Sequence, residues 1–279
     1  RFGPCRLPVS ELPAAFYVQS SPGRYEATAY TRGPWSDTLQ HGGPPSALLA
    51  GAMARDGEGP EVWHLARLTV SLLRPIPIGP VRVQTAARRR GRTAEHLEAE
   101  LLDDDARPLA HATAVRILRT TVTLPPAKDP PAPSLPAVDT LPSFTFPFFT
   151  SAVAYHSAVE VRIARGRWGH EPTAAWLRPR FPLVYEQPML PLEALTIVSD
   201  AANGVSLVLP VPRYQFINPD LTLALARPCR GLWFGLDTHS VADAGGTGLC
   251  QAELHDELGP FGRSLQTLVV RPTETSTQS

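Results

Sequence analysis

What most restricts the fold of this 279-residue chain is that its two halves repeat each other. At an offset of 153 positions, Leu68-Thr69 falls on Leu221-Thr222, Arg74-Pro75 on Arg227-Pro228, and Ala99-Glu100-Leu101 on Ala252-Glu253-Leu254. Upstream, an offset of 147 sets Pro44-Pro45-Ser46-Ala47-Leu48-Leu49 on Pro191-Leu192-Glu193-Ala194-Leu195-Thr196 and Gly57 on Gly204. Self-similarity at a near-constant spacing marks one structural unit used twice, and the length is comfortable for two units that share a large core.

Each unit reads as proline, a short helix, glycine, then strands. In the first, the stretch from Pro45 to Ala54 opens with proline, where a missing N–H costs nothing. It is small or apolar on every side, as a buried helix is. The runs Trp63–Leu73, Val81–Arg88, Glu95–Leu102 and Leu109–Leu118 are rich in Val, Leu and Thr with polar alternation, and read as strands. Asp103-Asp104-Asp105 and Glu257-Leu258-Gly259 read as hairpin turns. One buried helix followed by an antiparallel meander implies a curved sheet wrapped around that helix, and two such units would pair their sheets edge to edge. The fold class is therefore α+β, in a double hotdog arrangement. Between the units, Pro125, Pro126, Pro130, Pro131, Pro133, Pro136, Pro142 and Pro147 exclude helix interiors and central strands. They define a stiff linker whose end is tacked down by Phe144, Phe146, Phe148 and Phe149. The expected division is an N-terminal unit over 1–120, a linker over 121–148, a C-terminal unit over 149–272 and a polar tail over 273–279.

Several motifs in order carry a resemblance: Thr31-Arg32-Gly33-Pro34-Trp35, Gln40-His41-Gly42-Gly43-Pro44-Pro45, Arg67-Leu68-Thr69-Val70, Ile217-Asn218-Pro219-Asp220-Leu221-Thr222 and Ser264-Leu265-Gln266-Thr267. Together they resemble the thioesterase-like superfamily, of the acyl-CoA thioesterase II type, over nearly the whole chain outside the linker and tail. The resemblance implies hydrolysis of an acyl-CoA by a water held between an Asp, a Thr and a Gln of the second unit. Asp200 matches the Asp and Gln266 the Gln. The threonine is a departure: anchoring on Arg227-Pro228 puts Asn218 at its position, with Thr222 four residues later on the same strand. Coenzyme A would enter as part of the substrate, with no separate cofactor, and exposed sheet edges of such proteins imply a homo-oligomer.

The residues themselves support this chemistry. Thioester hydrolysis needs a base for the attacking water and donors for the developing oxyanion. Asp200 can be the base, while Gln266 and Asn218, or Thr222, can position the water. At the matching places of the first unit stand Met53, Thr113 and Leu65, so the polar set belongs to the second copy alone. The bland alternative for Asp200 is a helix-ending turn with Asn203-Gly204 as a left-handed cap. His41, Gly42 and Gly43 precede a helix and can present N–H groups to an anion, or merely form a tight turn. The run Arg88-Arg89-Arg90-Gly91-Arg92, with Arg90 and Arg92 foremost, offers guanidinium forks for phosphate or is a solvated strand end.

Other classes fit poorly. An enoyl-thioester hydratase on this fold pairs its Asp with a nearby downstream His, which is missing after Asp200; a non-catalytic acyl-CoA or fatty-acyl binding protein is the other alternative. With 26 basic and 26 acidic side chains the formal net charge is zero, so no overall field draws the chain to nucleic acid or an anionic membrane. No apolar run reaches the roughly 18 residues a spanning helix needs, and no signal-peptide core follows Arg1. Cys5, Cys229 and Cys250 are odd in number and far apart, and the histidines lack paired spacing. Neither a disulfide framework nor a metal site is expected, and a reducing cytoplasm suits the chain best.

Overall fold

The computed structural model describes residues 12–125, 135–211 and 213–273. Cys5, the linker prolines Pro126, Pro130, Pro131 and Pro133, and residues 274–279 of the tail lie outside the described residues. In the first half, strands β1 (Tyr17–Ser21) and β2 (Arg24–Ala27) precede helix α1 (Gly43–Ala54) and strands β3 (Trp63–Leu72), β4 (Pro80–Arg90), β5 (Ala94–Leu102) and β6 (Pro108–Leu118). The second half starts with β7 (Ser143–Phe144), α2 (Tyr155–Ala158), β8 (Val159–Arg165) and β9 (Ala174–Pro179). Helices α3 (Pro191–Ser199) and α4 (Ala202–Val205) follow, then β10 (Tyr214–Ile217), β11 (Asp220–Leu225), β12 (Phe234–Ala242), β13 (Thr247–Asp256) and β14 (Gly259–Pro272).

All these strands join one sheet in the order β1-β2-β4-β5-β6-β3-β11-β14-β13-β12-β9-β8-β7, with β10 added on β14. Outward from the β3–β11 seam, the first half runs β3-β6-β5-β4-β2-β1 and the second β11-β14-β13-β12-β9-β8, which is the same order twice. At the seam Thr69 faces Thr222, with Leu68 opposite Leu223 and Val70 opposite Leu221. Each residue is thus paired around the counterpart that the offset of 153 assigns it, and the seam is the local two-fold axis of the duplication. Period-two alternation puts Leu221, Leu223 and Leu225 on the inner face, as it does Cys250, Ala252 and Leu254.

Helices α1 and α3 are buried against that inner face and run antiparallel to each other. The start of α1 meets the end of α3: a methyl on Gly43 would stand 2.3 Å from the Ile197 carbonyl oxygen. At the other end, a methyl on Gly51 would fall 2.0 Å from Glu193 Oε1, and Arg55 at the α1 C-cap grips the Glu193 carboxylate, with Nη2 2.9 Å from Oε2. Glu193 also accepts the Leu190 N–H at 2.7 Å and so closes the first turn of α3. The small-residue face of α1 therefore exists to let a second helix approach. Its far end is capped by Arg116, a fully buried guanidinium that donates to the carbonyls of Met53 at 3.2 Å and Asp56 at 2.7 Å and pairs with Glu95.

The end of the linker crosses the outer face of the second half, where Leu135 packs on Ala174 and Trp176, and Trp176 Nε1 donates to the Pro136 carbonyl at 2.8 Å. It then turns inward. Phe144, Phe146 and Phe148 cluster with Trp168, and Phe149 stacks on Tyr155 and His156.

Candidate active site

Asp200 caps the C-terminal end of α3 and is 3 % exposed. Three side chains from three other segments converge on it. Asn218, in the turn between β10 and β11, donates from Nδ2 to Oδ1 at 2.7 Å. Gln266, inward on β14 and 1 % exposed, donates from Nε2 to the Asp200 carbonyl at 3.0 Å and to Oδ1 at 3.4 Å, while its Oε1 accepts the Asn203 N–H at 3.2 Å. His41, just ahead of α1, places Nδ1 2.9 Å from Oδ2. Asp200, Asn218, Gln266 and His41 are thus one cluster.

His41 contributes from the opposite half of the chain, because the antiparallel packing of the two helices sets the start of α1 beside the end of α3. Its ring lies flat on Tyr155, centroids 3.8 Å apart, and the Tyr155 hydroxyl donates to the Ile197 carbonyl at 2.9 Å. Burial, then the nearby Asp200 carboxylate, push the Tyr155 phenol well above its ordinary range, so it stays a donor. His41 Nδ1 also lies 3.2 Å from the Gly43 N–H. One ring nitrogen cannot donate to Asp200 and accept from Gly43 at once, so the position of a single proton decides which bond exists.

Gly42 and Gly43 serve close approach more than anion binding. Gly42 has ordinary helical dihedrals, φ −65° and ψ −23°, but a methyl there would stand 2.8 Å from Asp200 Oδ2 and 2.8 Å from Leu72 Cδ1. The anion at the start of α1 is the protein's own carboxylate. Pro44 and Pro45 lack N–H groups and the Ser46 N–H is taken by the Gly42 carbonyl. This leaves the Gly42 N–H as the donor of this turn without a partner among the described residues.

The cluster opens on a cavity of about 330 Å3, walled mainly by Trp35, Leu72, Phe146, Phe148, Phe149 and Phe216. Three of these five aromatic rings, Phe146, Phe148 and Phe149, come from the end of the linker and the residue after it, a role its proline content does not reveal. The duplicated counterpart of the site is closed. Met53 stands buried in place of Asp200, and the crevice between Arg55, Pro188 and Glu193 has no room for a water molecule.

Three expectations are corrected. Thr222 points to the outer face of β11, where its Oγ1 lies 3.3 Å from Thr69 Oγ1, so Asn218 and not Thr222 joins Asp200. Arg90 and Arg92 do not line the cavity: Arg90 binds Asp56 at 2.7 Å and Glu95 at 3.2 Å beyond the far end of α1, and Arg92 is exposed in the β4–β5 turn. Asn203 and Gly204 form no left-handed cap, because both lie within α4. On the outer face the sheet also gathers Asp237, Glu253 and His255, which the linear spacing hid; Arg165 and Arg263 supply the countercharge at 2.5 and 3.1 Å. Burial holds the Cys229 and Cys250 thiols up at about 12, so neither is a ready nucleophile.

A repeated curved sheet closed around two antiparallel helices, with one polar cluster kept at one of two equivalent positions, makes this a double hotdog protein. The acyl-CoA thioesterase N-terminal domain matches residues 31–117 and the acyl-CoA thioesterase C-terminal domain matches residues 125–270. The chain belongs to the acyl-CoA thioesterase family. Among solved structures, a hot dog fold protein of unknown function from Alicyclobacillus acidocaldarius superposes with a TM-score of 0.71 at 18% identity, covering 92% of this chain and 97% of that one. The acyl-CoA thioesterase II TesB2 from Mycobacterium marinum gives 0.63 at 17% identity, with 92% and 96% covered. The tesB protein of Mycobacterium avium subs paratuberculosis gives 0.60 at 17%, again covering 92% and 96%. A search of curated proteins finds no match. No helix among the described residues is long and apolar enough to cross a membrane.

Proposed function

We propose that this protein hydrolyses a fatty-acyl or related acyl-CoA to the free acid and CoA, with Asp200 as general base. The observation that carries this is a buried carboxylate, held by Asn218, Gln266 and His41, at the inner end of an apolar cavity. Asn218 and Gln266 hold Oδ1, and His41 holds Oδ2 when its Nδ1 carries the proton, which keeps the carboxylate facing the cavity. A water bound there gives a proton to Asp200 as its oxygen attacks the thioester carbon. The carbonyl oxygen becomes negative and is stabilised by fixed donors, for which the Gly42 N–H, without a partner among the described residues, is a backbone candidate. The C–S bond then breaks and the proton on Asp200 passes to the leaving thiolate. An apolar wall excludes bulk water and strengthens each of these interactions.

The test is release of free thiol from acyl-CoAs of graded chain length, with Asp200→Asn as control. The variant keeps the shape and the expected loss is about 10²-fold to 10⁴-fold in kcat. Tight acyl-CoA binding without thiol release would establish a binding protein instead, and an Asp200→Asn variant as fast as the parent would reject the base.

A further inference from the structure

Arg74 and Arg227 are the same residue in the two copies, each followed by proline, yet the fold uses them differently. In the second copy Arg227 is tied down: Nη1 and Nη2 each donate to Asp256 at 2.6 Å, and Nη2 also donates to the Gly259 carbonyl at 3.1 Å. The first copy keeps the matching carboxylate, Asp103, but Asp103 accepts the backbone N–H of Arg107 at 2.8 Å and its Nε at 3.0 Å. The Arg74 side chain is left exposed, with no hydrogen bond or ion pair among the described residues. It lines the cavity, where it is the one Lys or Arg of the wall among the described residues.

Its loop is held firmly. The Gln40 N–H donates to the Ile76 carbonyl, Gln40 Nε2 to the Pro77 carbonyl and the Ile78 N–H to the Thr38 carbonyl, each at 2.8 Å. The Arg74 N–H donates to the Leu109 carbonyl at 3.2 Å. The backbone at Arg74 is therefore held by Leu109, and the residues just after it by the segment that carries His41. Leu72, which abuts Gly42 beside Asp200, lies two residues earlier. Two residues of extended chain span about 7 Å, and the arginine side chain carries its charge farther out. A ligand reaching from Asp200 to Arg74 has a reactive carbonyl at one end, an uncharged stem along an apolar wall, and an anion at the other.

We propose that Arg74 is the phosphate-binding residue of this cavity, gripping a phosphate of the coenzyme A carrier while the thioester lies at Asp200. The assignment rests on the thioesterase reading above for its ligand. A guanidinium fork matches phosphate geometry, and an unpaired one needs no existing ion pair to be broken first.

The test is calorimetric titration of the full chain with CoA and with pantetheine, which lacks the phosphates, for the parent, Arg74→Gln and Arg74→Lys. Loss of one charge-assisted contact is expected to weaken CoA about tenfold or more, to leave pantetheine unchanged, and to be partly restored by lysine. Equal CoA affinity in the parent and Arg74→Gln, CoA binding no tighter than pantetheine, or no binding of either would overturn the proposal. Kinetics separates the other source of an anion. Arg74→Gln is expected to raise KM for acyl-CoA and not for acyl-N-acetylcysteamine. A raised KM confined to thioesters with a distal carboxylate on the acyl group would assign Arg74 to that carboxylate and overturn the phosphate. Absence of thiol release from any thioester would sink the hydrolase reading, while the CoA and pantetheine titrations would still decide Arg74.

Discussion

Thr69 and Thr222 face each other across the seam of the sheet with their hydroxyl oxygens 3.3 Å apart, and each is the other's counterpart across the duplication. The contact ties β3 to β11 on the face opposite the helices, away from the carboxylate of Asp200. Thr222→Val is therefore expected to cost no more than about 1 kcal/mol of stability and to leave the rate of thiol release unchanged. Asn218→Ala removes the 2.7 Å donor to Asp200 and is expected to lower kcat about tenfold or more. Measuring both variants by urea denaturation and thiol release decides which residue serves the site; a slow Thr222→Val beside a fast Asn218→Ala would reverse the assignment.

The two glycines at the start of α1, Gly42 at its N-cap and Gly43 in its first turn, are expected to fail in different ways. A methyl at Gly43 meets a backbone carbonyl at 2.3 Å, which cannot move without separating α1 from α3. Overpacking of about 1–3 kcal/mol outweighs the roughly 1 kcal/mol that alanine gains over glycine in a helix, so Gly43→Ala should shift the urea midpoint down. A methyl at Gly42 meets side-chain atoms, Asp200 Oδ2 and Leu72 Cδ1, that can yield. Gly42→Ala should therefore fold with a smaller loss of stability but turn the carboxylate and slow thiol release. Loss of stability without loss of rate at Gly42 would contradict this.

Much of the architecture was legible because both copies kept the spacing between their matched motifs, so one offset aligned Thr69 with Thr222 and Arg74 with Arg227. Asp200, Asn218 and Gln266 stood out because Met53, Leu65 and Thr113 stand at the same offsets in the other copy, although the strand register makes Ala114, not the outward Thr113, the inward counterpart of Gln266; a polar residue on one side of a duplication asks for a reason. The link from His41 to Asp200 was hidden, since it depends on how two helices from different halves pack. The basic run ending at Arg92 misled because charge composition does not say where a hairpin points. Arg116 was readable in principle. It continues the inward alternation of Ala110, Ala112 and Ala114 on β6, and an arginine on an inward position needs buried partners.

Those partners make Arg116 a stability residue. Removing its guanidinium frees the last carbonyls of α1 and leaves the buried Glu95 with Arg90 alone. Arg116→Met is expected to cost about 3–5 kcal/mol, and much of that should return in Arg116→Met with Glu95→Leu, which removes the stranded charge. The twelve residues of α1 put this cluster roughly 18 Å from Gly42, so thiol release per folded molecule should not change. A double variant no more stable than the single would show that the helix cap outweighs the charge.

Acid should lower the stability of the protein in two steps, because two kinds of group are perturbed. Burial holds the imidazoles of His64 and His156 below their usual range; for His64 the Leu225 carbonyl opposes this and Arg119 adds to it. A base whose pKa falls on folding binds its proton more weakly in the native state, so stability is full above the unfolded value near 6.5 and declines as pH drops through it. Asp256 and Glu160 act lower. Burial raises both carboxyls, but Arg227 with the N–H groups of Leu258 and Arg230 outweighs it at Asp256, and Arg162 with Arg178 at Glu160, leaving each depressed. Their contribution is present above the unfolded carboxylate range near 4 and is lost as pH falls through the lower native values. Urea midpoints measured from pH 8 to pH 3 should step down first below about 6.5, with His64→Asn reducing that step, and again below about 4, with Arg227→Met reducing the second. A single smooth decline beginning only below the carboxylate range would show that the half-buried histidines take up protons as readily folded as unfolded.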